Sequence, residues 1–484
     1  MKHRKPREHF RITKLKRTYN HKTDTFTINI SYETTVAAQT QRTRTVAEAF
    51  GLGTDQAQRF TLYDNLSLRI RPTDIVLITG DSGSGKSALL KALKADLGTA
   101  AQDTHDLRIN RNTPIIDATG KNTHEALELL SRVGLNDAFL FLRSYTELSD
   151  GQKHRYHIAR LAESPAQWWL LDEFTSTLDR DTAKIVAYNL QKLARQRSKA
   201  VIAATTHTDL LKDLAPNVHL HKRYGKEINV RYHPNARARG CSLTRQMRVE
   251  QGTLQDYKAL SQFHYRTGRC PPPRKIFVLK RRTELCGVIV YGFPSPVCFG
   301  RSKVWRGSLQ QLQQEVSVIS RVVVHPKYRS IGLGAKLVHE TLGRAGTACV
   351  EAVAVMARYN PFFERAGMRK VAESKPSPHV SAALERLAGL GFDCALLAGV
   401  GYGERVVSEV GREAVLDVLA ELSRRDGGVR RRLVGLRNVY PRHEEFMAKA
   451  AELDVAGLAK ALKRLSFMAQ TKVYLFWRKK SAED

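Results

Sequence analysis

Apolar and polar positions alternate with period two in TFTINISYE from Thr25 onward, which predicts a half-buried strand. FTLYDNLSLRI and DIVLITG predict two more strands, the second running straight into a glycine-rich loop. From there to about residue 230, short apolar runs alternate with helical segments, which is an α/β pattern. HPNARARG, residues 233–240, has no period and reads as a linker. Past it, IFVLKR and LCGVIVYGF predict a hairpin, and SVISRVVVHP and ACVEAVAV further strands. Residues 375–470 read mostly as helix, as in REAVLDVLAELSRR and DVAGLAKALKRL, before KVYLFWRK closes the chain as a strand.

A length of 484 residues sets an expectation of two to four domains. With 42% hydrophobic and 26% charged residues, wholesale disorder is excluded. No apolar run approaches the length of a membrane-spanning helix. The opening MKHRKPREHFRITKLKR lacks the apolar core of a secretory signal. Cysteines occur only at Cys241, Cys270, Cys286, Cys298, Cys349 and Cys394, with no CxxC pair. Neither a disulfide framework nor a zinc ribbon is expected, and the compartment reads as reducing and cytoplasmic. Charge changes the picture more. Lys plus Arg number 79 against 47 Asp plus Glu, a net +32, which calls for a polyanion: nucleic acid first, an anionic membrane surface second.

Candidate chemistry begins at Gly80-Asp81-Ser82-Gly83-Ser84-Gly85-Lys86-Ser87, a GxxxxGK[ST] loop between an apolar strand and the helical ALLKALKADL. Glycines let successive backbone N–H groups turn toward phosphate oxygens, and the helix adds its positive end. Lys86 would reach the β and γ phosphates of ATP, and the Ser87 hydroxyl would ligate Mg²⁺. Downstream, WWLLDE (Trp168 to Glu173) is an apolar strand ending in two acids. Asp172 would support the metal and Glu173 would orient or deprotonate a water.

Between these elements stands Leu148-Ser149-Asp150-Gly151-Gln152. LSDGQ and a helix, then WWLLDE, then Ser176-Thr177-Leu178-Asp179, then a strand ending in His207, resemble an ABC-type ATPase. The resemblance implies that Ser149, Gly151 and Gln152 belong to a signature that caps the γ phosphate of a second subunit. It also implies that Asp179 lies on the dimer loop and that His207 is the switch histidine. An ATP-dependent homodimer follows as an expectation. The stretch from Lys86 to Ser149 is shorter than in transport members, and no glutamine loop stands out: Gln102 comes too early, and Asp117 is a weak substitute. Both departures point to a non-transport ATPase away from the membrane.

The second motif is Val322-Val323-Val324-His325-Pro326-Lys327-Tyr328-Arg329-Ser330-Ile331-Gly332-Leu333-Gly334-Ala335, a strand, a turn and a helix start. It resembles motif A of the GNAT acyltransferases, and Asn360-Pro361-Phe362-Phe363-Glu364-Arg365-Ala366-Gly367-Met368 resembles a later segment of that family. The resemblance implies an acetyl-CoA site. Arg329 to Gly334 would turn backbone N–H groups toward the pyrophosphate, the Val322–Val324 strand would pair with the pantetheine arm, and Asn360 and Phe363 would complete the site. Phe363 stands where many members carry a general-acid tyrosine, and Tyr359 is the substitute. Glu315 in QQEVSVISR is the candidate to position the base water. His264, Tyr265 and Arg266 form a polar cluster that could contact an acceptor or simply hold the fold.

The expected fold is α/β and multidomain. A basic arm at 1–22 precedes an ABC-type ATPase at 23–232. The linker at 233–240 leads to a GNAT acyltransferase at 241–374, with a helical insertion at 375–469 and a final strand at 470–480. The reading that follows is ATP-assisted N-acylation of a nucleic acid, RNA ahead of DNA, because reaching a base inside a duplex costs a few kcal/mol of unstacking that a motor could supply. Two other readings stay open. One is a protein or small-amine acetyltransferase with a regulatory ATPase. The other is a nucleic-acid-remodelling ATPase with a non-catalytic GNAT-like module.

Overall fold

A computed structural model describes residues 10–34, 40–52, 58–264, 270, 272–355, 357, 360–436 and 441–479. The chain forms two compact units. One comprises residues 1–269, 276–289 and 322–337, the other 270–275, 290–321 and 338–484.

The first unit opens on strands β1 (Phe10–Asn20), β2 (Thr25–Thr34) and β3 (Gln58–Arg69), a three-stranded antiparallel sheet. The expected basic arm is therefore corrected from residue 10 onward. Phe10–Asn20 pairs with β2, Tyr19 stacks on Phe26 with ring centroids 4.1 Å apart, and Arg17 meets Asp96 at 2.9 Å. Residues 1–9 lie outside the described set.

Strands β4 (Ile75–Gly80), β5 (Ala101–Asp103), β6 (Trp168–Leu171), β7 (Ala200–Ala204), β8 (Val218–Lys222) and β9 (Ile228–Tyr232) build a six-stranded sheet in the order β5-β6-β7-β4-β8-β9. All pairs are parallel except β8 with β9. Strands β4, β6 and β7 are buried along their whole length, as parallel strands covered on both faces must be. Their side chains alternate between two cores. Val76, Ile78, Leu170 and Ile202 pack with the helix Lys86–Leu97 and the three-stranded sheet. Ile75, Leu77, Leu171 and Val201 pack with the helices Thr123–Arg132, Asp150–Glu163 and Arg180–Gln196.

The remaining strands are β10 (Met247–Gln251), β11 (Pro273–Arg281), β12 (Glu284–Gly292), β13 (Val316–Val324), β14 (Cys349–Ala354), β15 (Arg369–Ser374) and β16 (Lys472–Arg478). In the first unit β10 pairs antiparallel with β11, from Met247–Arg281 to Gln251–Phe277; in the second, β14 and β15 each pair antiparallel with β16. In the second unit, β13 runs parallel to β14 for only three residue pairs, Val316–Cys349 to Val318–Glu351. Beyond that point β14 keeps its antiparallel partner β16, while among the described residues of this unit 319–321 have no partner on β14. Helices between Pro378 and Met468 pack around Leu387, Val407, Leu419, Leu433, Phe446 and Leu462. Among the described residues no helix is long and apolar enough to cross a membrane.

Candidate active sites

At the carboxyl end of β4 the backbone must turn sharply around whatever sits above the sheet. Gly80 has φ 144°, and a Cβ there would lie 2.0 Å from the carbonyl oxygen of Lys222, so only glycine fits. The loop is held from outside by two phenols. Tyr63 Oη donates to the Gly85 carbonyl at 2.9 Å and Tyr224 Oη to that of Ser82 at 2.7 Å. Lys86 Nζ donates to the carbonyls of Gly80 (2.8 Å) and Asp81 (2.6 Å), curled over its own loop. Burial pulls the pKa of this ammonium down, opposed by Asp172 and Asp81. The Ser84 hydroxyl is buried with no protein partner among the described residues, a donor left for a ligand.

The loop lines a cleft of about 970 Å³ with Ser87, Asp172, Glu173, Ser176 and Thr205. Ser87 and Asp172 thus share one wall with the loop, an all-oxygen pair that suits Mg²⁺. Glu173 sits in the left-handed region at φ 49°, and its N–H donates to Asp172 Oδ1 at 2.9 Å. Thr175 is left-handed too (φ 64°), and its N–H donates to Nε2 of His154 at 3.3 Å. Non-glycine residues in that region persist only where the surroundings hold them, and such strain clusters at working sites.

His154 lies on the helix that begins with the LSDGQ segment, so it ties that helix to the Glu173 loop. Accepting from Thr175 requires Nε2 to be unprotonated. Burial first, then His157, Arg155 and His105, push its pKa down to about 4. The unfolded chain takes that proton near pH 6.5, so between 6.5 and 4 it binds more protons than the native state, and stability falls with pH across that window. The expected loss from this group is up to about 3 kcal/mol. Urea unfolding of the His154→Gln variant across the window should give a flatter profile than the parent. An equally steep profile would refute the assignment.

Ser149 is exposed and does not line this cleft. It caps the helix Asp150–Glu163 in a capping box in which Gln152 Oε1 accepts from the Ser149 N–H at 3.0 Å. Gly151 approaches Leu178, with a Cβ there falling 3.2 Å from that side chain. Asp179 caps the helix Arg180–Gln196. Burial would raise its carboxyl pKa, but hydrogen bonds from Thr182 and Asp181 and the charge of Lys327 hold it below the usual range. His207 is outside the lining, where Thr205 and Thr206 stand, and its N–H donates to Thr205 Oγ1 at 3.2 Å. Burial and Arg180 lower its pKa against Asp209. The sequence reading missed Tyr32 and Phe60, aromatic residues of β2 and β3 that line the cleft. An aromatic facing the loop from a strand upstream was the available signal.

The second loop leaves β13 at Val324. Val323 is buried, Val322 and Val324 are half-buried, and Ile331 and Leu333 turn into the core. Gly332, at φ 86°, is the exposed point, and a Cβ there would meet nothing within 4 Å. Gly334 and Ala335 open the helix Leu333–Leu342. Ser330 is left-handed at φ 70°. Arg329 is committed to the fold, since its guanidinium donates to the carbonyls of Val324 (3.0 Å), Asn136 (2.7 Å) and Phe263 (3.0 Å).

In the second unit, Glu315 ends the helix Leu309–Glu315 rather than lying on the strand, and Trp305 Nε1 donates to its Oε2 at 3.0 Å. This corrects the expected strand position: the helix starts at its Ser308 cap and runs directly into β13, whose first residue, Val316, is already extended. Glu351, at the last pair before β13 and β14 part, is buried in a bidentate pair with Arg301 (2.9 and 2.7 Å) and accepts from Tyr474 Oη at 2.9 Å. Phe363 is 5% exposed and packs as core, while Asn360 is exposed. Tyr359, Tyr265 and Arg266 lie outside the described residues.

Cleft, loop and sheet order define a nucleotide-binding ATPase, and comparison with known proteins places it. The chain is 30% identical over 182 residues to the cytochrome c biogenesis ATP-binding export protein CcmA of Colwellia psychrerythraea, covering 31% of this chain and 80% of that one. It is 28% identical over 212 residues to the methionine import ATP-binding protein MetN of Streptomyces coelicolor, covering 35% of this chain and spanning 60% of that protein's length. The dimeric post-hydrolysis state of an ATP-binding cassette bound to ADP and Pi matches with 19% identity and a TM-score of 0.30, over 36% of this chain and 92% of that one. The chain belongs to the ABC-type ATPases. In the same polypeptide, residues 242–368 match the acetyltransferase (GNAT) family, so the ATPase is joined to a GNAT acetyltransferase domain.

Proposed function

We propose that this chain hydrolyses ATP and transfers an acyl group from acyl-CoA, acetyl-CoA first, to an amine of a nucleic acid, RNA ahead of DNA. One observation carries the reading: an ATP cleft and an acyltransferase domain share a chain of net charge +32. In the cleft, Lys86 and the loop N–H groups would hold the β and γ phosphates, and Glu173 would take a proton from the attacking water. Mg²⁺, held by Ser87 and Asp172, would neutralise phosphate charge. Ser149 and Gly151, exposed or half-exposed and away from the cleft of their own chain, suit the completion of a second copy's site, as an ATP-dependent homodimer requires. In the acyltransferase half the neutral amine attacks the thioester carbonyl. The C–S bond breaks, coenzyme A leaves as the thiol, and a base removes the amine proton.

The test uses salt and base pairing. Binding to nucleic acid should weaken with a log–log slope of about −0.9 per phosphate contact on duplex DNA and about −0.7 on single strands. ATP should accelerate acylation of structured RNA more than of an unstructured strand, and Lys86→Ala should remove that difference. Salt-insensitive binding, or acylation of both acceptors equally untouched by Lys86→Ala, would sink this reading and favour a protein or small-amine acceptor.

A further inference from the structure

The acyl-CoA loop is pinned by side chains of the ATPase, and all the residues involved belong to the first compact unit. Asp181 Oδ2 takes Arg281 at 2.7 Å, Lys327 at 2.9 Å and the Tyr328 hydroxyl at 3.2 Å. The Tyr328 hydroxyl also lies 2.6 Å from Glu284 Oε2. Two turns further along the same helix, Asn189, 5% exposed, donates from Nδ2 to Ser330 Oγ at 2.9 Å. Arg329 reaches the Asn136 carbonyl of the same unit at 2.7 Å.

These pins act where the loop needs them. An anion-binding turn requires left-handed residues so that successive N–H groups face one way. Gly332 adopts that conformation freely, but Ser330 does so at a cost of roughly 1–2 kcal/mol and must be held. Its hydroxyl donates to the Arg329 carbonyl at 2.5 Å and accepts from Asn189, the side chain that ties it to the ATPase helix. The helix carrying Asn189 and Asp181 starts directly after Asp179, whose carboxylate caps it, and six residues before Asp179 is the cleft residue Glu173. A shift of residues 173–179 on nucleotide binding therefore reaches Asp181 within the first helical turn.

We propose that Asp181 and Asn189 are positioning residues for acyl-CoA, and that through the helix Arg180–Gln196 ATP occupancy tightens acyl-CoA binding. The proposal rests on reading Arg329 to Gly334 as the acyl-CoA loop. Linkage makes the effect reciprocal, so that coenzyme A must tighten ATP binding by the same factor, which a merely structural contact would not produce.

Coenzyme A titrated calorimetrically into the Glu173→Gln protein, with and without ATP, tests it. The expected Kd is at least about fivefold lower with ATP. Adding Asp181→Asn should bring the ratio below about two; should that variant not fold by circular dichroism, Asn189→Ala should do the same. An unchanged or raised Kd with ATP, or a ratio that survives in the folded variants, overturns the coupling while leaving the acyl-CoA site in place. Coenzyme A binding that is absent, or that persists undiminished in Gly332→Trp, overturns the loop assignment and the coupling with it.

Discussion

Glu173→Gln should cut ATP hydrolysis by about 10²–10⁴-fold, the range expected for loss of a general base, while leaving ATP bound. The glutamine keeps the size and reach of the glutamate but cannot accept a proton from water. Backbone geometry should survive the change, because the left-handed conformation of Glu173 is fixed by its neighbours: its N–H is tied to Asp172 and the next residue, Phe174, donates its N–H to the Ala204 carbonyl at 2.7 Å. Bound but unhydrolysed ATP should then accumulate a two-chain species, since one chain offers one phosphate loop and one LSDGQ segment. Phosphate release and light scattering read the two halves separately. Hydrolysis within tenfold of the parent would remove Glu173 from the role of base, and a monomer in the presence of ATP would count against the homodimer.

Gly332→Trp should reduce coenzyme A binding by at least about a hundredfold and leave ATP binding intact. The position is exposed and open, so the indole has room without disturbing the core, and the space it fills is the space a pyrophosphate would need. Gly332→Ala separates the two possible causes. It carries the penalty of a left-handed side chain, about 1–2 kcal/mol, but leaves the opening clear. Calorimetry should place alanine between the parent and tryptophan. Equal affinity in all three would show that phosphate does not approach this turn.

The ATP loop could be read from the sequence because its parts are local. An apolar strand, the glycines, the lysine and a helix follow one another within a few residues, and each carries its own physical reason. The strand, turn and helix start of Val322 to Ala335 were legible for the same local reason. Contacts between distant segments left no such trace. Asp181 looks like an ordinary acid in a first helical turn until Arg281 and Lys327 arrive from 100 and more residues away. Arg329 fits a phosphate-binding motif, yet its guanidinium is spent on carbonyls, which no spacing rule reveals. The dense charge of FRITKLKRTYN likewise hid a strand whose place is set by its pairing with β2.

The order in which the chain is made gives the interleaving of the first unit another meaning. Residues up to 269 leave the ribosome before 276–289 and 322–337, which complete the same unit. At 5–20 residues per second, the wait for Lys327 and Ser330 after Asn189 has emerged is roughly 7–30 s. For that interval Asp181 and Asn189 face solvent without their partners. A nascent ATPase can therefore assemble its sheet early, but the turn at 327–330 must close onto a helix already in place, and cutting the gene at the 233–240 segment would leave Asp181 and Asn189 without these partners.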